Sequence, residues 1–499
     1  MKLNKHITSI IYFTLISCIC FSCATKVNTE ESAYHATVTV NLDKVVGQMK
    51  HSELYNNNSL LRVPRKEVTD KYLEKFGKAK IMRSWLTLND MWDYKTGEVN
   101  YDFPVGWGFN LWTTYYDYMD RFSEISEDVL LNIRGNHELV KSGAISMAKW
   151  KEVCKGAIKH YKSRYPNIRY IEALNEYSGK HFGDLKNDEY YPFYKCFYQI
   201  VNEINQELKP EIPLLVGGPC IMGGSLDEEG ESTKRTKLKS FLKNFKEDTS
   251  EDKKLDFLSY HQYNDTKLNP STALTHEALI DSWLVENGLS ANIPIFIDEM
   301  GCFPGSRHLG CVEEDLFVTA CNIASLMYYY EQQPDMYGFH WVIQHKTNER
   351  KNQILDDLRW TPYGISMLMS ALHKDDKLES ESDALVEGQG VYAVASGDEN
   401  EAILQVWNYQ WENNNTFDTE ISFHNMNRYD EGKGIILTQY KLDNTNNNFL
   451  NSDSYYWNSD PNEDIKIFSV DTITNTEDVQ VDLVLDPNTM AVVKVSSIK

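Results

Sequence analysis

Positive charge is scarce in this sequence. Its 50 Lys and Arg residues stand against 73 Asp and Glu over 499 residues, a formal net charge of −23. Such a surface repels nucleic acid and anionic membranes, so neither is expected as a partner. Beyond the N-terminal segment, no cysteine pair has CxxC or other metal-ligand spacing. No acidic turn, Asp460 to Asp464 included, has the regular ligand spacing of a calcium loop. No glycine-rich phosphate turn follows the first strand-like run, which argues against an open dinucleotide-binding sheet. No catalytic metal, nucleotide or redox cofactor is therefore expected. The N-terminal apolar run, Ile7 to Ile19, is too short for a permanent membrane span.

That end reads as a targeting segment. Lys2 and Lys5 precede the apolar run, and small residues and cysteines follow it. Leu15-Ile16-Ser17-Cys18 looks like a bacterial lipobox, and Phe21-Ser22-Cys23 offers a second acylation point that leaves a longer apolar region. Residues 1–23 are expected to be a lipoprotein signal peptide acylated at Cys23, or else at Cys18. The chain would then be exported and lipid-anchored in a bacterial cell envelope, facing the periplasm or the cell surface, with no other membrane contact. Cys302 and Cys311 bracket a loop and could pair in an oxidising compartment. Cys154, Cys196, Cys220 and Cys321 are expected as buried thiols.

The rest of the chain divides by pattern. Strand-length apolar runs at 79–86, 129–134, 168–174, 212–217, 255–260, 293–297 and 336–342 alternate with helical stretches such as 147–164, 191–208 and 313–331. A run at 36–46 brings the count to eight. Continuous rather than alternating apolarity suits parallel strands covered on both faces. Eight strand-helix repeats predict an α/β fold, a (β/α)8 TIM barrel over residues 24–374. Residues 223–250 read as a long surface insert with one helix near 238–245. Beyond Lys374, alternating runs at 390–395, 402–407, 419–423, 434–442, 479–485 and 491–495 are separated by Asn-, Asp- and Gly-rich turns. They predict a C-terminal antiparallel β-sandwich over 375–499. Thr37 to Leu42 alternates too and is a candidate to join it.

Two of the barrel runs end on carboxylates: Glu172-Ala173-Leu174-Asn175-Glu176 on the fourth and Ile295-Phe296-Ile297-Asp298-Glu299 on the seventh. Strand ends of one barrel open onto one face. Two carboxyl groups there are the equipment for cleaving a glycosidic bond. Glu176 is the candidate general acid/base and Glu299 the candidate nucleophile, with Asp298 as the competing carboxylate. Asn175 is placed to hold the sugar's 2-hydroxyl, Arg83 to orient Glu299, and His261 or Tyr263 to lie near the nucleophile. Trp341 could form a platform under a sugar ring. Glu172 is expected to point into the barrel or to pair with a buried Arg. A dense aromatic group, with Trp107, Trp112, Tyr115, Tyr116 and Tyr118, is expected to serve mainly packing.

These motifs resemble those of clan A glycoside hydrolases, and most closely family 39, which includes β-xylosidases and α-L-iduronidases. Glu172-Ala173-Leu174-Asn175-Glu176 is similar to that family's Glu-x-x-Asn-Glu acid/base motif. Pro294 to Glu299 resembles its nucleophile strand, and Asp256-Phe257-Leu258-Ser259-Tyr260-His261 its sixth-strand pattern. Three positions differ. Arg83-Ser84-Trp85-Leu86 stands where the family has Arg-x-His-Gly, Tyr177 where a proline is common, and Asp298 where threonine is more usual. The resemblance implies a retaining mechanism with a covalent glycosyl-enzyme and an oligo- or polysaccharide substrate. The rival readings are an endo-acting glycanase of another clan A family, a transglycosylase, and an inactive glycan-binding surface lipoprotein.

Overall fold

The computed structural model describes residues 34–498, apart from 61–62, 107–112, 265–268, 303–313, 346–351, 431, 448–449, 452–453, 458–463, 475 and 477–478. The expected signal segment with Cys18 and Cys23, and Cys311, Trp107, Trp112 and residues 460–463, lie outside the described residues.

Eight parallel strands close into a barrel in chain order: Tyr55–Asn57, Ala79–Thr87, Ser126–Arg134, Ile168–Ala173, Leu215–Ile221, Phe257–Asn264, Ile295–Cys302 and Met336–His340. A helix follows each strand: Lys66–Phe76, Tyr115–Glu124, Met147–Arg164, Asn187–Leu208, Lys234–Glu247, His276–Glu286, Glu314–Tyr330 and Pro362–Ser370. Hydroxyl caps fix several starts. Ser146 accepts from Lys149 N–H at 3.1 Å, and Thr361, just before Pro362, accepts from Gly364 N–H at 3.0 Å. Lys151, Lys155 and Lys159 on one helix meet Glu203 and Glu207 on the next, so two neighbouring helices of the outer ring are laced by charge.

The barrel interior is layered. Tyr55, Ile81, Leu130, Phe257, Phe296 and Phe339 form an apolar plug near the strand starts. Side chains on a strand repeat every two residues on one face. Two positions further along the strands, the layer above the plug holds Asn57, Arg83, Asn132, Glu172, Ser259 and Asp298, all fully buried. Hydrophobic filling thus gives way to a charged floor just beneath the face where barrel enzymes carry their sites.

Residues 34–48 are not a barrel strand. They lie in a nine-stranded sheet with 376–382, 390–397, 401–409, 417–424, 435–442, 467–473, 479–485 and 489–497. The barrel's first strand is instead Tyr55-Asn56-Asn57, whose polar character hides it from an apolar search. The sheet folds over one shared core, with Val38, Val391, Leu404, Ile421 and Val493 among its members. One pair departs from the expected antiparallel pattern: 34–48 runs parallel to 417–424. The whole barrel intervenes between these strands, so no tight hairpin constrains their direction. The opposite face of the sheet, with Tyr392 and Trp407, packs on the helix 314–330, where Trp407 Nε1 donates to Ser325 Oγ at 2.8 Å.

Residues 223–250 are not a surface insert either. Helix 234–247 is the regular helix between the fifth and sixth strands and buries Leu238, Phe241, Leu242 and Phe245. Its five lysines conceal the amphipathic pattern. Lys234 and Lys237 are themselves buried, with their ammonium groups on Gln262 Oε1 and the Met222 carbonyl.

Candidate active site

Arg83 organises the charged floor. All five of its N–H donors find acceptors: Nε on Glu172 (2.9 Å), Nη1 on Glu299 (2.7 Å) and Asn57 (3.3 Å), and Nη2 on Asn175 (2.9 Å) and Cys220 Sγ (3.2 Å). Its Nε also lies 3.2 Å from Asp298 Oδ2. Burial works against its charge, but the carboxyl groups around it, Glu172 foremost and Glu299 with it, outweigh that and hold Arg83 firmly cationic.

Adjacent strand residues normally face opposite ways, yet Asp298 and Glu299 both meet Arg83. A register irregularity between Ile297 and Glu299, on the side paired with the sixth strand, accounts for this. A bulge inserts one residue and lets Glu299 follow Asp298 into the barrel mouth. A second irregularity, between Pro219 and Ile221, turns Cys220 inward on the fifth strand. Leu174, Glu176 and Cys220 all have left-handed backbone, with φ of 62°, 45° and 52°. Such conformations in non-glycine residues cluster at functional sites. Here two of them are held from outside: Leu174 by Asn132 Nδ2 on its carbonyl at 2.8 Å, and Glu176 by its own N–H on the Cys220 carbonyl at 2.8 Å.

Glu176 and Glu299 converge on His261. Its Nδ1 lies 2.7 Å from Glu176 Oε1 and 3.6 Å from Glu299 Oε2. Facing oxygens of the two carboxyl groups come within 4.8 Å of each other. Tyr263 donates its hydroxyl to Glu299 Oε2. Burial disfavours charge on Glu299, but His261, Arg83 and the Tyr263 hydrogen bond overcome it and lower its pKa. Asn175 Oδ1 accepts from Arg83, whereas its Nδ2 is buried without an acceptor, available to a ligand. Trp341 closes one side, its ring 6.0 Å from that of Trp85. All seven residues singled out from the sequence (Arg83, Asn175, Glu176, His261, Tyr263, Glu299 and Trp341) thus lie at the C-terminal mouth of the barrel.

Two further carboxyl groups, Glu172 and Asp298, complete the floor. Glu172 is the Arg partner it was expected to be. Burial opposes its charge, but Arg83, Asp298, Ser259 and Asn132 hold its pKa down at about 2. Asp298 goes the other way: burial first, then Glu172, push it well above the carboxylate range. Both Asp298 oxygens and Glu172 Oε1 lack an ordinary donor. One proton on Asp298, shared with Glu172, pairs two of these three atoms and leaves a single negative charge on the pair. Asp298 is therefore unsuited to be the attacking carboxylate. Asp298→Asn, whose amide supplies a permanent donor, is expected to change unfolding free energy by less than about 1.5 kcal/mol, whereas Asp298→Ala should cost about 1–3 kcal/mol by orphaning Glu172. A raised folded pKa means that stability is lost as pH rises through it. Urea unfolding between pH 5 and 9 should therefore show an alkaline decline in the wild type that Asp298→Asn lacks; equal damage from Asn and Ala would refute the shared proton.

Cys220 touches Arg83, Asn175 (3.4 Å) and His261 (3.3 Å), and no local motif marked it. Burial and the Asp298 and Glu172 carboxyls push its thiol pKa up, so it stays protonated. Cys220, His261 and Asp298 could in principle ligate a metal, as could Glu176, His261 and Glu299. A cation at the first trio would meet the Arg83 guanidinium 3.2 Å from the sulfur. Buried Cys302 has its proposed partner outside the described residues.

No protein-family model and no curated protein matches the sequence. Solved structures do. A glucosidase from Croceicoccus marinus superposes with a TM-score of 0.64 at 13% identity, over 93% of this chain and 100% of that one. The GH39 enzyme from Xanthomonas axonopodis pv. citri gives 0.65 at 13%, over 93% and 98%. The chain shares the fold of these two enzymes. An α-L-arabinofuranosidase from Thermotoga maritima gives 0.57 at 16%, over 92% and 100%. These likenesses cover barrel and sheet together, in agreement with the architecture read from the sequence.

Proposed function

We propose that this protein is a retaining glycoside hydrolase with Glu299 as nucleophile and Glu176 as general acid/base. The observation that carries the proposal is that both carboxyl groups meet one imidazole nitrogen, His261 Nδ1, at 2.7 Å from Glu176 Oε1 and 3.6 Å from Glu299 Oε2, which holds the pair close together. Retaining enzymes hold the pair about 5–5.5 Å apart, and inverting ones need about 6.5–9.5 Å to admit a water. Protonated Glu176 gives its proton to the glycosidic oxygen while Glu299 attacks the anomeric carbon; the C–O bond to the leaving group breaks and a glycosyl ester forms on Glu299. Glu176, now ionised, takes a proton from water, whose oxygen attacks the same carbon and releases Glu299. Arg83 and Tyr263 fix the attacking carboxylate, and the free Asn175 Nδ2 suits the 2-hydroxyl. An activated 2-deoxy-2-fluoro glycoside is expected to trap the chain covalently, with the adduct on the peptide bearing Glu299. Labelling elsewhere, or hydrolysis shown by NMR to invert the anomer, would refute the assignment.

We further propose that the chain is an exported lipoprotein, supported by the basic start, the apolar run and the cysteines at 18 and 23. Inhibition of lipoprotein signal peptidase in a producing bacterium should cause the uncleaved form to accumulate; unaltered processing would remove this proposal.

A further inference from the structure

Two arginines reach the mouth of the barrel, and they are used differently. Arg83 spends every donor on the protein. Arg134, at the end of the third strand, spends none: its Nε is buried without an acceptor, and its side chain makes no hydrogen bond or ion pair among the described residues. Yet it is firmly placed. Its guanidinium carbon lies 4.4 Å from the centroid of the Trp85 ring and 5.2 Å from that of Phe182. Cation–π packing of this kind occupies the faces of the guanidinium and leaves its edge, where the N–H groups lie, for an acceptor. Position 134 is two residues beyond Asn132, which faces the barrel interior, so the side chain belongs to the layer that opens on the cleft. Trp85 Nε1 and Asn175 Nδ2 are likewise buried without acceptors. In a protein of net charge −23, a half-buried guanidinium with a free edge beside two catalytic carboxyl groups asks for an anion from outside.

We infer that Arg134 anchors a subsite for an oxyanion carried by the sugar, either a carboxylate or a sulfate ester. The inference rests on the glycosidase reading for the identity of the ligand as a sugar, while the anion preference itself rests on Arg134. The anionic group of the bound sugar lies on the Arg134 edge. Specificity for charged over neutral glycosides then comes from one side chain.

The test separates binding from turnover. Glu176→Gln, which keeps the shape of the site, is titrated calorimetrically at constant ionic strength. The ligands are free hexuronates, hexose 6-sulfates and neutral hexoses of gluco, galacto and manno configuration. At least one charged sugar is expected to bind tenfold or more tightly than its neutral counterpart, as a charge-assisted pair allows. Arg134→Gln in the same background should erase that ratio, and Arg134→Lys should keep part of it, which also separates loss of charge from loss of fold. A carboxylate-bearing winner identifies a uronide, and a sulfate-bearing winner a sulfated sugar. Equal binding of charged and neutral sugars overturns the inference, as does a charge preference that survives Arg134→Gln. Wild-type hydrolysis of the matched aryl glycosides reports on the reading beneath: charge-selective binding without hydrolysis of any glycoside would sink the glycosidase proposal and leave the anion subsite standing.

Discussion

Glu299→Gln is expected to lower kcat by at least about 10⁴-fold on any glycoside the wild type cleaves, as loss of a nucleophile commonly does. The amide preserves volume; its oxygen can still accept from Arg83 Nη1 and its NH2 can donate to the Tyr263 hydroxyl oxygen, so the fold should hold. What disappears is the electron pair that forms the glycosyl ester. Truncation to Glu299→Ala opens space for a small anion, and added azide should then restore turnover and yield a glycosyl azide of inverted configuration, because azide attacks from the nucleophile's side. In Glu176→Ala, azide enters from the opposite face onto the glycosyl-enzyme and should give the retained azide. The two products assign the two roles independently. Retained turnover in Glu299→Gln, or the same azide anomer from both alanine variants, would mean the roles are wrong.

Arg83→Met should have the largest effect on stability. Removing one partner of a buried ion pair costs about 3–5 kcal/mol because the remaining charge is stranded. Here Glu172 and Glu299 would both be stranded, and the orienting bond to Asn175 lost. Arg83→Lys is a poor substitute, since an ammonium has three donors for five acceptors. The pH dependence distinguishes this account from simple loss of packing. In the wild type the lowered pKa of Glu172 contributes stability that is present above the ordinary value of 4.5 and is lost as pH falls through about 2. In Arg83→Met the stranded carboxyls are raised by burial, so their contribution reverses: stability should increase as pH falls from neutrality and should not be lost below 4.5, where the wild type loses it. Urea midpoints at several pH values, read alongside Arg83→Met/Glu172→Gln, provide the check. A midpoint that falls with pH in parallel with the wild type would contradict the stranded-charge explanation.

Much of this site was legible because strand ends advertise themselves. An apolar run that stops at Asn175-Glu176 or Asp298-Glu299 has little to pack with at its end, and the barrel count placed both runs on one face. His261 and Tyr263 came from the same logic. Geometry beyond the local pattern was not legible. The bulge at Asp298 leaves no trace in the apolar spacing, so Asp298 read as a rival to Glu299 rather than as the proton-sharing partner of Glu172. Cys220 is a lone thiol in a Gly-Gly-Pro-Cys stretch and acquires meaning only from Arg83 and His261. Arg134 looked like any strand-end arginine, since Trp85 and Phe182 reach it from other parts of the chain. The helix 234–247 was obscured by lysines whose stems are buried. The first barrel strand was displaced onto 36–46 because that stretch alternates well, as a strand of the second sheet should.

The true first strand of the barrel is only three residues long, and it meets the eighth strand at the pairing of His340 with Asn56. Side chains do what backbone pairing does elsewhere: Asn56 and Gln353 exchange amide hydrogen bonds at 2.9 and 3.0 Å, and Asn57 Nδ2 reaches the carbonyl of Asp298 at 2.8 Å. The barrel is thus shut by a clasp of asparagines rather than by a zipper of strands. Asn57 Oδ1 is also one of the acceptors that seat Arg83. The part of the wall with the least ladder is therefore wired to the group that aims the nucleophile, and a breath at the clasp would be felt at once by Glu299.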